Sequence, residues 1–339
     1  MFTRKFEPSK THKFIFLLIG MLTTTFILFE CTKSQKVYRI GVLCGLNFFA
    51  NTVDGLKSKM EKLGYVEGEN IIYDYKESQS NIDSARQILK KFVDDKVDLI
   101  FVLPTNVSVE AKKITRDTNI PVVFANANVE GQNLINSISS PGENITGVRY
   151  PGPDLTIKRF EIMMEIAPAI KRVWVPYKRG LNIVPGQLEL LRKATQLENV
   201  TLIESPADDA DEIQSIITGF EKSAEVGIDA ILMIAEPLAV TPNTFLIMAK
   251  FAAVHKILMG GALMTVEGYS SVFGISTDNV SVGEQAALLV HKVLTGTPPG
   301  TIPVISAENN LQISYEAADR IGIKIPDGIL KQANKIIQK

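Results

Sequence analysis

At 339 residues the chain is too long for one typical domain and comfortable for two. Hydrophobic residues make up 45% and charged residues 22%, ordinary globular usage with enough apolar mass for two cores. A formal net charge of −1 gives no electrostatic footprint for nucleic acid, which removes that class of partner.

The N-terminus differs in character from the rest of the chain. Arg4, Lys5, Lys10 and Lys13 form a basic start, Phe14 to Phe29 carries no charge, and Cys31 comes directly after Glu30. A basic start and a short apolar core predict an export signal over residues 1–30, with an uncleaved anchor as the alternative; the sixteen residues of Phe14–Phe29 fall short of the ~20 of a spanning helix. "ILFEC" (27–31) resembles the lipobox of bacterial lipoproteins. That resemblance implies acylation of Cys31, a polar tether at 31–36 and attachment to a membrane through lipid. Glu30 replaces the small residue usual before the cysteine. Cys44 is the one other cysteine, so no disulfide framework is expected.

From residue 37 short apolar runs alternate with amphipathic stretches. "YRIGVLCG" (38–45) predicts a strand and "NTVDGLKSKMEKLG" (51–64) a helix ended by Gly64. Strand "NIIYDYKES", helix "SARQILKKFVDD", strand "VDLIFVLP", helix "SVEAKKITRD" and strand "PVVFANA" come next. After residue 150 the pattern restarts with helix "KRFEIMMEIAP", strand "KRVWVPY" and helix "GQLELLRKATQLEN". Then come strand "VTLIESPA", helix "DEIQSIITGFEKSAE", strand "DAILMIAEP", helix "NTFLIMAKFAAVH" and strand "KILMGGA". "SVGEQAALLVHKVLTG" (281–296) predicts one more helix, before the Pro-rich "TPPGTIPV". Continuous apolar runs separated by single helices argue for parallel sheets covered on both faces, and the repetition argues for two lobes of α/β class.

Five fragments in order, "LGYVEGENI" (63–71), "IPVVFA" (120–125), "SPGENITGV" (140–148), "GEQAALLVHKVLTGTPPGTIPV" (283–304) and "AADRIGIKIPDGIL" (317–330), make the chain similar to the bacterial ABC-transporter substrate-binding proteins with the type I periplasmic-binding fold. Some members of that family take up aromatic amino acids. The resemblance spans about 38–330. It implies two Rossmann-like lobes, residues 37–149 plus 270–305 and residues 150–269 plus 306–339. Three segments near 148–153, 260–275 and 304–312 would join them, with a small-molecule ligand held between the lobes. It also implies an ABC permease and a separate ATPase as partners, and no enzymatic activity. A monomer is expected, exported to the periplasmic or cell-surface side.

"PGENITGV" (141–148) admits three readings: a phosphate loop, a glycosylation acceptor, or a turn where the chain changes lobes. Val148 and Arg149 follow Gly147 where a phosphate loop needs Lys and Ser/Thr. A bacterial lipoprotein-like signal argues against glycosylation, which leaves Gly142 and Gly147 as the turn and bend that feed the passage to lobe two. The chain has no G-x-S-x-G, H-E-x-x-H, C-x-x-C, G-x-G-x-x-G or Walker A motif. His12, His255 and His291 are too scattered for a metal cluster, so no cofactor or metal is expected.

Open α/β sheets hold ligands at the carboxyl ends of their strands. Those ends offer Asn47, Phe48 and Phe49 after the first strand, Thr105 after the third, and Asn126 and Asn128 after the fourth. In the family that last loop usually carries Asp-Pro. Here Asn128 and Val129 replace the pair and one residue is missing. In lobe two the ends offer Tyr177 and Glu236. Several have a structural alternative: one of Phe48 and Phe49 as core, Thr105 as a helix cap, Tyr177 as surface filling. Glu236 follows four apolar residues with no Lys or Arg nearby in sequence, so a ligand ammonium is its expected partner. The expected ligand is an amino acid or similar zwitterion, captured by hinge closure and delivered to the permease. The alternatives are a ligand-sensing ectodomain and a surface-anchored α/β enzyme.

Overall fold

The computed structural model describes residues 36–338. The expected signal at 1–30, Cys31 and most of the tether therefore lie outside the described residues. Among the described residues no helix is long and apolar enough to cross a membrane.

Two sheets organise the chain. The first contains β1 (Tyr38–Cys44), β2 (Ile71–Glu77), β3 (Leu99–Leu103), β4 (Val122–Ala127), β5 (Ile145–Arg149) and β13 (Ile305–Ser306), in the order β13-β5-β4-β3-β1-β2. All its pairings are parallel. The second contains β6 (Arg172–Lys178), β7 (Thr201–Ala207), β8 (Ala230–Leu232), β9 (Leu258–Gly261), β12 (Phe273–Thr277), β14 (Asn309–Ser314) and β15 (Lys335–Ile337), in the order β15-β14-β12-β9-β8-β6-β7. Here only β12 and β14 run antiparallel. A small hairpin, β10 (Thr265–Val266) with β11 (Tyr269–Ser270), lies between β9 and β12.

Alternation along each strand feeds two cores per sheet. Ile40, Val42 and Cys44 of β1 face α1 (Ala50–Lys62) and α8 (Asn279–Leu294). Leu43 faces α2 (Ile82–Asp94) and α3 (Thr105–Thr115) on the other side. In the second sheet Val173 and Val175 pack against α4 (Gly152–Ile166) and α5 (Val184–Leu197). Trp174 packs against α6 (Ala210–Lys222) and α7 (Pro242–His255). Burial on both faces explains why these strands read as unbroken apolar runs. The short α9 (Tyr315–Ile321) and α10 (Asp327–Gln332) close the chain before β15.

Helix α8 belongs to the first sheet although the strand before it belongs to the second. Its Gly283 and Gly55 of α1 let the two backbones touch. A Cβ at Gly55 would stand 2.1 Å from the Val280 carbonyl oxygen, and one at Gly283 1.9 Å from that of Thr52. The chain changes sheets at 149–152, at 277–279 and at 306–309. Two expectations need correction. The assignment of 270–305 to lobe one fails for 273–277, because Phe273 and Gly274 pair with Gly260 and Gly261, and Ile275 pairs with Leu311. The passage thus comes after Thr277 instead of falling within 260–275. Gly142 makes a turn at a φ of 75°, but Gly147 lies inside β5, paired with Phe124, where the register of β4 and β5 then shifts.

Candidate functional site

All three passages leave from the carboxyl ends of parallel strands: β5, β12 and β13. The carboxyl edges of both sheets are therefore turned toward the linkers, and the loops after β1, β3, β4, β6 and β8 gather there. Arg149 ties this region together. Its Nε donates to Ser306 Oγ at 2.8 Å, and its two terminal nitrogens meet Glu130 and Asp154. One guanidinium thus joins a loop after β4, the first turn of α4 and the third passage.

The loop after β3 places Thr105 as the first residue of α3, with Pro104 in the cap position and no side-chain cap. The Thr105 hydroxyl oxygen accepts the backbone N–H of Asn128 at 3.0 Å. Among the described residues its own proton has no acceptor, and the N–H groups at the start of α3 have none within the helix. The expected cap role is not what the side chain does; it pins the β4 loop beside the helix start. Asn128 is 8% exposed and lies against α4, where its Oδ1 would be 2.5 Å from a Cβ at Gly152. Gln187 of α5 is the next neighbour, its Cδ 3.8 Å from the same point. Gln187 is held at both ends: its Oε1 accepts from Thr156 Oγ1 and from the Ala235 N–H, and its Nε2 donates to the Ile183 and Ala235 carbonyls. Thr105, Asn128, Gly152 and Gln187 form a floor shared by both lobes.

The two phenylalanines separate. Phe49 is half-buried against the α1 and α8 core, whereas Phe48 is 78% exposed, with the rings edge to face at 5.0 Å. Asn47 is exposed in the same short 3-10 turn, 47–49. Asn126 is buried toward Thr52 of α1, its Nδ2 2.8 Å from Thr52 Oγ1. Tyr177 packs half-buried on the α4 and α5 core, where burial and then the charge of Glu204 push its phenol above the usual range. That is the surface-filling alternative for Tyr177, which the structure does not bring to the shared floor.

Glu236 departs most from expectation. Its carboxylate is buried and accepts three backbone N–H bonds, from Lys178 at 3.1 Å, Leu238 at 2.9 Å and Ala239 at 2.8 Å. It therefore closes the 3-10 turn Leu238–Val240 and fastens the end of β6. Burial raises its pKa, and the three N–H groups and the Lys178 charge pull the other way. A ligand ammonium is not needed to satisfy it. Its partners come from residues 2, 3 and 58 positions away, and the last is invisible to a search for nearby charges.

Arg159 carries no sequence signal at all, yet its guanidinium is buried at the middle of α4. It donates to the carbonyls of Ile275, at 3.2 and 2.8 Å, and Met233, at 3.0 Å. Burial lowers its pKa, and the Tyr150 hydroxyl acts in the opposite sense. Its bonds hold the second passage strand, β12, against α4.

The profile of the family described as ABC transporter substrate binding protein matches residues 46–337. A curated relative, a tyrosine-binding protein of Clostridioides difficile (strain R20291), is 27% identical over 282 residues, covering 82% of this chain and 78% of its own. Among solved structures, a conserved domain protein of Vibrio cholerae superposes with a TM-score of 0.73 at 26% identity, covering 89% of this chain and 100% of that one. A domain from Streptococcus pneumonia in complex with L-Trp gives a TM-score of 0.73 at 20% identity, with the same two coverages. At that identity the likeness is one of fold.

Proposed function

The chain belongs to the ABC transporter substrate-binding protein family, and from that membership we propose that it captures an α-amino acid between its two lobes and hands it to a permease. The observation that carries this reading is the uncapped start of α3 beside Thr105 and Asn128. Free N–H groups and the positive end of a helix dipole suit a carboxylate. The Thr105 hydroxyl adds a donor, and the Asn128 amide closes the site from the floor. Exposed Phe48 at the rim offers an apolar face for the ligand body. An aromatic side chain is favoured because the curated relative is a tyrosine-binding protein.

Hinge closure supplies the mechanism. Each carboxyl edge provides part of the contacts, so ligand favours the closed arrangement by its differential affinity for it. Acylation at Cys31 would keep the protein beside its permease. Calorimetric titration with L-tyrosine and L-tryptophan tests the ligand class. Binding in the micromolar range or tighter is expected, and an absence of binding to these and to the other α-amino acids at about 1 mM sinks the reading.

A further inference from the structure

Asn126 has three unusual properties at once. It is 3% exposed, its φ of 52° lies in the left-handed region, and its Oδ1 is a buried acceptor with no donor among the described residues. Neighbours decide which end of the amide is which. The Phe48 carbonyl can only accept, so the Asn279 amide must turn its Nδ2 toward it, at 3.1 Å. Asn279 Oδ1 then faces Asn126 and calls for a donor, which is Asn126 Nδ2 at 3.5 Å, the same nitrogen that reaches Thr52 Oγ1. The orphan is therefore an oxygen.

Leaving a buried acceptor unsatisfied is costly, and Asn in the left-handed region adds to the cost. Both are concentrated at the carboxyl end of β4, two residues from Asn128 and bonded to the first residue of α8, directly after the second passage. We propose that Asn126 Oδ1 is the acceptor for the ligand's ammonium, and that this neutral oxygen, not Glu236, selects amino acids over acids lacking the amine. The inference rests on the amino-acid reading above and assigns that site's second pole. It also links recognition to motion: the oxygen that meets the ligand belongs to an amide joined to Asn279 at a passage, and through Asn279 to the Phe48 rim.

The test is calorimetry with L-tyrosine and L-tryptophan against 3-(4-hydroxyphenyl)propanoate and indole-3-propanoate, which keep the carboxylate and ring but lack the amine. The wild type is expected to prefer the amino acids by about tenfold or more, the scale of a buried hydrogen bond to a charged group. Asn126→Gly, which suits the positive φ without strain, is expected to abolish that preference. Asn126→Asp keeps an acceptor in place and is expected to retain it. Melting curves establish that each variant is folded, and if the glycine variant is not, the aspartate variant decides. A wild type that binds both classes equally overturns the proposal. So does a glycine variant that keeps the full preference, as it would if water merely fills the oxygen's vicinity, or an aspartate variant that loses it. A wild type that binds none of the four compounds removes the amino-acid reading and this inference with it, a result distinct from the other three.

Discussion

Asn128 and Gly152 meet across the first passage, the Asn128 oxygen occupying the space where a side chain at 152 would begin. A Cβ there would be 2.5 Å from Oδ1, closer than any real contact. The expected consequence is specific. Gly152→Ala should push Asn128 off the floor and weaken ligand binding by about tenfold or more, the loss of a well-placed polar contact. The melting temperature should barely move, because alanine in the first turn of α4 offsets strain with about 0.5–1 kcal/mol of helix propensity. Calorimetry and thermal melts on one preparation check both halves. A large loss of stability with unchanged affinity would place the contact in folding instead of binding.

Glu236 should behave as a structural carboxylate. Glu236→Gln leaves an N–H₂ group facing backbone N–H groups and should cost about 1–3 kcal/mol, read as a shift in the urea midpoint. The pH dependence is set by the direction of its shift. A raised folded-state pKa means that the folded state binds the proton more tightly than the unfolded state. That contribution is present below the unfolded value of ~4.3 and is lost as pH rises through the folded value. The wild type should therefore gain stability relative to Glu236→Gln on going from about pH 7 down to about pH 4. A difference that stays flat across the range would contradict the shift.

Arg149 should act as a clamp on two passages. Arg149→Met removes the bonds to Ser306, Glu130 and Asp154 and leaves two carboxylates without their common cation. A loss of about 1–3 kcal/mol is expected, between the values for exposed and buried pairs. Added salt should recover part of it by screening the two acids. Small-angle scattering on the wild type should show a smaller radius of gyration with saturating ligand. An unchanged profile would count against hinge closure.

Anchoring has its own test. Cys31→Ser should release the protein from membranes into a soluble fraction, and metabolic labelling with a fatty acid should mark only the wild type. Glu30→Ala should speed processing if the acidic residue before the cysteine slows the signal peptidase. An unlabelled wild type would end the proposal of a lipid anchor.

Strands β1 to β4 and the helices between them were legible because each is a local pattern, whereas β5 reads as a turn and β13 is only two residues long. Four to seven apolar residues, an amphipathic stretch and a terminating glycine or cap act within one turn or one strand. Thr105 could likewise be located at a helix start, and Phe48 at a strand end. What the chain could not announce was which sheet a short segment joins. Phe273–Thr277 is apolar and extended either way, and only its pairing with β9 and β14 assigns it to the second sheet.

The chemistry of the site divides along the same line. Residue types and their order along the chain determined which polar groups reach the carboxyl edges. Tertiary structure decided what each group does there, because hydrogen bonds act over about 3 Å in space and ignore separation in sequence. Glu236 finds the Lys178 N–H 58 residues away and needs no ligand, whereas Asn126, bonded across 74 and 153 residues, is left with an oxygen to spare.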